Sequence, residues 1–297
     1  MVKGKAESIK NKTCLLGENA LWNQKLERFF WADIIAGRVF SYTPESKTIR
    51  TETEIGCQIG AFVFSIDGGL ILCTEGEILK VPYKNGKFDV SHSEKLFTVP
   101  AVPGERFNDA IADARGRVIS GSKRDDNTDG VLYSFGRARK PEPLRTHLGI
   151  SNGMAFTGGG KRFYHVDSAE KTITVYDYDI SSGKISGGRI FFRLPPPLGE
   201  PDGITADIGG HLWVACWNGG AVLRISPNGE IEKKIDVPAK QVSSVCFGGK
   251  GLSTLFITTA ALGGDKNGFN NAGDYLGGEV FFINTGYRGV YENTADI

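Results

Sequence analysis

Oxygen-bearing side chains recur in this sequence where short apolar segments begin. Glu18 precedes Ala20-Leu21-Trp22, Asn108 sits in Arg106-Phe107-Asn108-Asp109, Asn152 in Ser151-Asn152-Gly153-Met154, and Asp202 in Pro201-Asp202-Gly203-Ile204. Carboxylates and amide carbonyls are hard donors suited to a divalent cation, and a centre with three protein ligands keeps positions open for water and substrate. Taken singly, each fragment has an ordinary reading. Asn-Gly and Pro-Asp-Gly are turn signals, because Pro presets φ and Gly accepts positive φ. A Glu at a strand end is commonly solvated. Arg106 and Asn108 are two residues apart, so on a strand they share a face. Arg106 then reads either as an ion-pair partner for nearby carboxylates or as a donor to a polar substrate.

The case for a common site comes from register. A Gly-rich turn, an apolar strand, a hairpin loop and a second strand recur six times, pairing Arg28 to Ala32 with Arg38 to Tyr42, Gly69 to Cys73 with Glu77 to Val81, Gly116 to Ser120 with Gly130 to Ser134, Lys161 to His165 with Thr172 to Tyr176, His211 to Ala215 with Ala221 to Ile225, and Thr254 to Thr258 with Glu279 to Ile283. The repeat length, roughly 40 to 50 residues, is that of propeller blades. We therefore expect an all-β fold: a six-bladed β-propeller with four-stranded blades and a central metal-binding channel, one domain over residues 1–297. A propeller gathers its innermost strands around one axis. Counting back about 11 to 13 residues from the repeat markers reaches Glu18, Gly60, Asn108, Asn152, Asp202 and Ser244, which should lie at similar height around the channel. After Ile283 the tail is turn-rich, so the segment from Glu7 to Leu15 is expected to supply the last outer strand and close the ring.

Composition narrows the functions. With 35 basic and 34 acidic residues in no long runs, a nucleic-acid partner is not expected. No apolar stretch approaches the roughly 20 residues that span a bilayer, and the start lacks the apolar core of a leader. A cytoplasmic protein without a membrane partner is expected. Cys14, Cys57, Cys73, Cys216 and Cys246 are odd in number and lack CxxC spacing, so they read as buried, inert thiols. The four His residues show no cluster spacing. Asp125-x-Asn127-x-Asp129-Gly130 starts like an EF-hand loop but has Gly136 where the bidentate Glu belongs, so a hairpin loop is expected. Gly158-Gly159-Gly160-Lys161 reads as a turn, and the Gly/Asn-rich stretch 265–274 as either a lid or a solvated insertion.

The combination of Gly17-Glu18-Asn19-Ala20-Leu21-Trp22, Arg106-Phe107-Asn108-Asp109, Ser151-Asn152-Gly153 and Pro201-Asp202-Gly203, followed by Gly210 to Ala215, resembles the SMP-30/gluconolactonase family over nearly the whole chain. That resemblance implies one divalent cation held by Glu18, Asn152 and Asp202, with Ca²⁺ first and Zn²⁺, Mg²⁺, Mn²⁺ or Fe²⁺ as alternatives. It further implies Arg106 and Asn108 as substrate contacts and Asp202 as the catalytic general base. The expected activity is hydrolysis of a gluconolactone-type sugar lactone to its aldonic acid, by a monomer or small homo-oligomer. Two other readings stay open: an organophosphate or aryl-ester hydrolase on the same metal site, and a non-enzymatic calcium-binding propeller. The segment from Lys123 to Gly130 departs from the family's loops.

Overall fold

The computed structural model describes residues 5–99, 102–137 and 139–297. The first four residues, part of the stretch from which the absence of a leader is inferred, lie outside them.

Six antiparallel four-stranded sheets stand around a central channel. From the axis outward, blade 1 is Gly17–Asn23, Arg28–Asp33, Arg38–Thr43 and Thr48–Glu54. The innermost strands of blades 2 to 6 are Ala61–Phe64, Glu105–Ala112, Ser151–Thr157, Glu200–Ala206 and Val242–Gly248. Burial explains the composition of each layer. An innermost strand has neighbouring blades on both faces, so Ala61–Phe64 and Val242–Gly248 are buried throughout. An outermost strand meets water, and Thr48–Glu54 carries Arg50, Glu52 and Glu54. The hairpin registers follow the apolar pattern: Trp31 opposes Phe40, Leu72 opposes Leu79, and Val214 opposes Leu223.

The core is a ring of layers between adjacent blades. Phe29 stacks on Phe256 at 4.6 Å between blades 1 and 6. Phe30 meets Phe64 edge-on at 5.0 Å between blades 1 and 2, and Trp213 meets Phe247 at 5.3 Å between blades 5 and 6. Burying one such side chain is worth about 1.5–3 kcal/mol, so contacts between blades hold the innermost strands in place.

The N-terminal segment closes the ring, since Glu7 and Ser8 pair with Phe282 and Phe281 of blade 6. The C-terminal tail instead crosses the mouth of the channel opposite to where the innermost strands begin. Ile208 N donates to Arg288 O at 2.9 Å, Gly289 N to Leu252 O at 2.9 Å, Ala295 N to Phe64 O at 2.8 Å, and Asp296 N to Gly116 O at 2.9 Å. The tail thus straps blades 5, 6, 2 and 3 together.

Cys14, Cys73, Cys216 and Cys246 are buried, but Cys57 is only partly so, which corrects the expectation of five buried thiols. Burial pushes the Cys14, Cys73 and Cys216 thiols up to about 12. Residues 125–129 form the expected hairpin loop between Val118–Arg124 and Gly130–Gly136. Gly158, Gly159 and Gly160 all have positive φ, as their turn requires. The 265–274 insertion is tied to itself, Asp265 Oδ1 accepting from Asn267 N and Phe269 N at 2.8 and 2.9 Å. Among the described residues no helix is long and apolar enough to cross a membrane.

Candidate metal centre in the channel

The sequence motifs coincide with slips in strand register. Where an innermost strand pairs with its neighbour, the register shifts between Glu18 and Leu21, Phe107 and Asp109, Ser151 and Met154, Pro201 and Ile204, and Val242 and Ser244. Such bulges leave residues outside the ladder and re-aim their side chains, a common arrangement beside functional sites. Blade 2 contributes Gly60, where a Cβ would lie 1.8 Å from Phe107 O. The turn reading of Asn152-Gly153 and Pro201-Asp202-Gly203 is corrected here, because both fragments lie inside strands. A Cβ on Gly153 would fall 2.4 Å from Asp202 O, and one on Gly203 would fall 2.5 Å from Ser244 Oγ. These glycines let the innermost strands of blades 4, 5 and 6 approach closely.

Glu18, Asn152 and Asp202 converge there, exposed by only 6%, 6% and 4%. Asn152 Nδ2 donates to Ser168 Oγ at 3.1 Å, and Ser168 Oγ donates to Pro201 O at 2.6 Å, which holds the amide oxygen away from the protein framework. Asn152 Oδ1 and Asp202 Oδ1 are both buried without a hydrogen-bond partner among the described residues. Leaving a buried acceptor unpaired costs about 1–3 kcal/mol. The Glu18 and Asp202 carboxylates face one another. Burial first, then Asp109, pushes Glu18 up to about 8, and burial followed by Glu18 pushes Asp202 well above the usual carboxylate range. Two crowded carboxylates and two unpaired oxygens form a donor set that a hard divalent cation fits. Among the described residues no three His, Cys, Asp or Glu side chains make a ligating group, so this set is complete only with the amide of Asn152.

Two further carboxylates pin the segments leading to these donors. Asp33 accepts from Leu15 N and Leu16 N at 2.9 and 3.1 Å, just before Glu18. Asp167 accepts from Gly149 N and Ile150 N at 2.9 and 3.1 Å, just before Asn152. Arg106 Nη1 donates to Phe107 O at 2.9 Å and to Asn108 Oδ1 at 2.6 Å, and Asn108 Nδ2 donates to Ser151 O at 3.0 Å. Arg106 is therefore braced by neutral oxygens, with the carboxylates of Glu18, Asp125, Asp202 and Glu75 contributing only a longer-range field.

The family model described as the SMP-30/gluconolactonase/LRE-like region matches residues 16–261. The chain belongs to this family. Pentonolactonase XacC of Haloferax volcanii is 35% identical over 92% of this chain and 90% of its own length. Among solved structures, a luciferin-regenerating enzyme superposes with a TM-score of 0.90 at 25% identity, covering 98% of this chain and 99% of its own. A calcium-binding regucalcin of Agrobacterium tumefaciens shares the fold, with a TM-score of 0.88 at 20% identity and coverage of 99% and 98%.

In this SMP-30/gluconolactonase/LRE-like chain, sequence reasoning missed Asp109. Strict alternation would turn Asp109 away from the face occupied by Asn108. The bulge at Asn108 breaks that alternation, and Asp109 is buried where its charge acts on both Glu18 and Asp202. Burial pushes its carboxyl up to about 7. Glu292, on the C-terminal strap, lies close enough to raise Asp109 further and is itself pushed up to about 7 by burial. Its signal in the sequence is only a Glu in a turn-rich tail.

These carboxyls give a pH expectation for the metal-free protein. Glu18 at about 8 and Asp109 at about 7 stand above the ordinary values of 4.5 and 3.8 for these carboxyls. A carboxyl with a raised folded value adds stability below its unfolded value and loses that contribution as pH climbs through the folded one. In the presence of a chelator, Tm should fall as pH rises from about 5 to about 8, and saturating calcium should suppress the fall. Thermal melts with and without calcium test this, and a chelated Tm that is flat or rising across the window counts against the buried cluster.

Proposed function

We propose that this chain is a metal-dependent lactonase that opens a gluconolactone-type sugar lactone to its aldonic acid. The observation that carries the reading is the pair of buried oxygens, Asn152 Oδ1 and Asp202 Oδ1, that lack a hydrogen-bond partner among the described residues and face the same channel as Glu18. Membership of a family that includes a pentonolactonase 35% identical to this chain supports the choice of lactones.

Glu18, Asn152 and Asp202 would hold the cation, with calcium first in view of the all-oxygen donor set. When bound, the cation supplies Lewis acidity toward a lactone carbonyl. The chain's own groups do the remainder. Asp202 would take the proton from the attacking water, with a basicity that the bound cation lowers from that of the metal-free site. Arg106 donates to substrate oxygens, and Asn108 fixes the direction of that donor through its 2.6 Å bond. The test is turnover across a panel of neutral sugar lactones with added metals and with a chelator, with paraoxon-type esters alongside. Lactone hydrolysis that the chelator abolishes is the expected result. Hydrolysis of the esters alone, or calcium binding with no turnover of any lactone, would overturn the proposal.

Arg106→Ala is expected to lower kcat/KM about ten- to hundredfold, the weight of one charge-assisted hydrogen bond of about 1.5–3 kcal/mol. Calcium affinity should stay near that of the unaltered protein, because Arg106 makes no ion pair with the proposed ligands. Kinetics paired with calorimetric calcium titration check this, and an equal loss in both would return Arg106 to a purely electrostatic role.

A further inference from the structure

Lys123, at the start of the segment that departs from the family's loops, is not used by the chemistry above. It stands directly across from Arg106 where Glu105–Ala112 pairs with Val118–Arg124. Opposed residues of an antiparallel pair project from one face with Cβ atoms about 5 Å apart, and like charges placed so repel. The Asp125 carboxylate offsets part of that repulsion, its charge reaching both Arg106 and Lys123, but only as a longer-range field. Among the described residues neither Lys123 nor Arg106 has a carboxylate within ion-pair distance, while adjacent Arg124 takes both Glu105 at 3.8 Å and Asp129 at 3.5 Å. The Asp125 carboxylate leans on the turn at Gly104, where a Cβ would meet its Oδ2 at 2.8 Å. Lys123 is half-buried, and burial and then Arg106 lower its proton affinity, with Asp125 acting the other way. Its backbone also bridges to Ile150, two residues before Asn152. The Lys123 backbone therefore stands beside the strand that carries Asn152, and its side chain shares a face with Arg106.

We infer that Lys123 and Arg106 form a two-cation receptor for an anionic group on the substrate, so that the favoured class is a sugar lactone bearing a second acidic function, a carboxylate or a phosphate, on its exocyclic carbon. This rests on the lactonase reading and refines it. A neutral lactone would leave two half-desolvated cations facing one another. An anion would bring them together through charge-assisted bonds, of which a guanidinium offers the forked form and an ammonium the point form.

The experiment compares glucono-γ-lactone with glucaro-γ-lactone and a phosphogluconolactone, using the full-length protein, Lys123→Met and Lys123→Arg. Calorimetry of glucarate and gluconate at saturating calcium runs beside it. The unaltered protein should favour an acidic lactone at least about tenfold in kcat/KM. Lys123→Met should cut that ratio about ten- to hundredfold, mainly through KM, and Lys123→Arg should restore most of it. Whichever acidic lactone ranks first identifies the anion as carboxylate or phosphate. A ratio near one in the unaltered protein, or a ratio unchanged by Lys123→Met, overturns the inference while leaving lactone hydrolysis intact. If no lactone is hydrolysed, the lactonase reading fails by itself. The receptor is then decided by calorimetry: weaker glucarate binding by Lys123→Met supports it, and equal binding overturns it.

Discussion

Asp202→Asn is expected to abolish lactone hydrolysis while leaving the propeller folded. Asn keeps the shape of the side chain but removes a negative charge from the metal centre and the group that accepts the proton from water. Loss of a positioned base costs about 10²–10⁴-fold, and weaker metal binding adds to it, so kcat should fall by at least about a thousandfold even at saturating calcium. The metal-free variant should not lose thermal stability. Asp202 is buried beside Glu18 and Asp109, and both raise its proton affinity by repulsion. Removing one member of such a cluster relieves that repulsion. Steady-state kinetics over a calcium series, with a thermal melt in chelator, provide the measurement. Near-unaltered kcat at saturating calcium would remove Asp202 from both roles.

Glu18→Gln should separate binding from chemistry. Glu18 contributes a full charge to the donor set, but Asp202 already supplies the proton acceptor, so the main effect belongs to calcium affinity. Exchanging a carboxylate for an amide at a charge-assisted contact is expected to weaken calcium binding about ten- to hundredfold, with kcat largely recovered when calcium is raised. The metal-free protein should gain stability above neutral pH. There Glu18, pushed up to about 8, is forced to ionise in a buried site beside Asp109, and Gln has no proton to lose. Calorimetric titration and chelated melts at pH 6 and 8 check both halves. A variant that binds calcium as tightly as the unaltered chain, or one less stable without metal at pH 8, would contradict the assignment.

Much of the architecture was legible in the sequence, because it follows from local rules that repeat. Short apolar strands separated by Gly-rich turns specify hairpins such as Trp31 against Phe40. Six of them at a propeller period specify a ring, and the lack of an outer strand after Ile283 pointed to the segment from Glu7 to Leu15, of which Glu7 and Ser8 make the closing pairs. The equivalent positions of Glu18, Asn152 and Asp202 came from the same period. What the tertiary structure decided depends on neighbours from other blades. Gly153 and Gly203 look like turn residues until Asp202 O and Ser244 Oγ occupy the space a Cβ would need. Asp109 should point away from Asn108 until a bulge between Phe107 and Asp109 breaks the alternation. Arg106 could have been an ion pair until hydrogen bonds to Phe107 O and Asn108 Oδ1 accounted for it. Lys123 was one cation in a mixed-charge loop until strand register set it opposite Arg106. Periodicity along a chain reports which face a residue takes. Which partner it meets there is set by inter-blade distances and hydrogen-bond competition, and these exist only once the ring is closed.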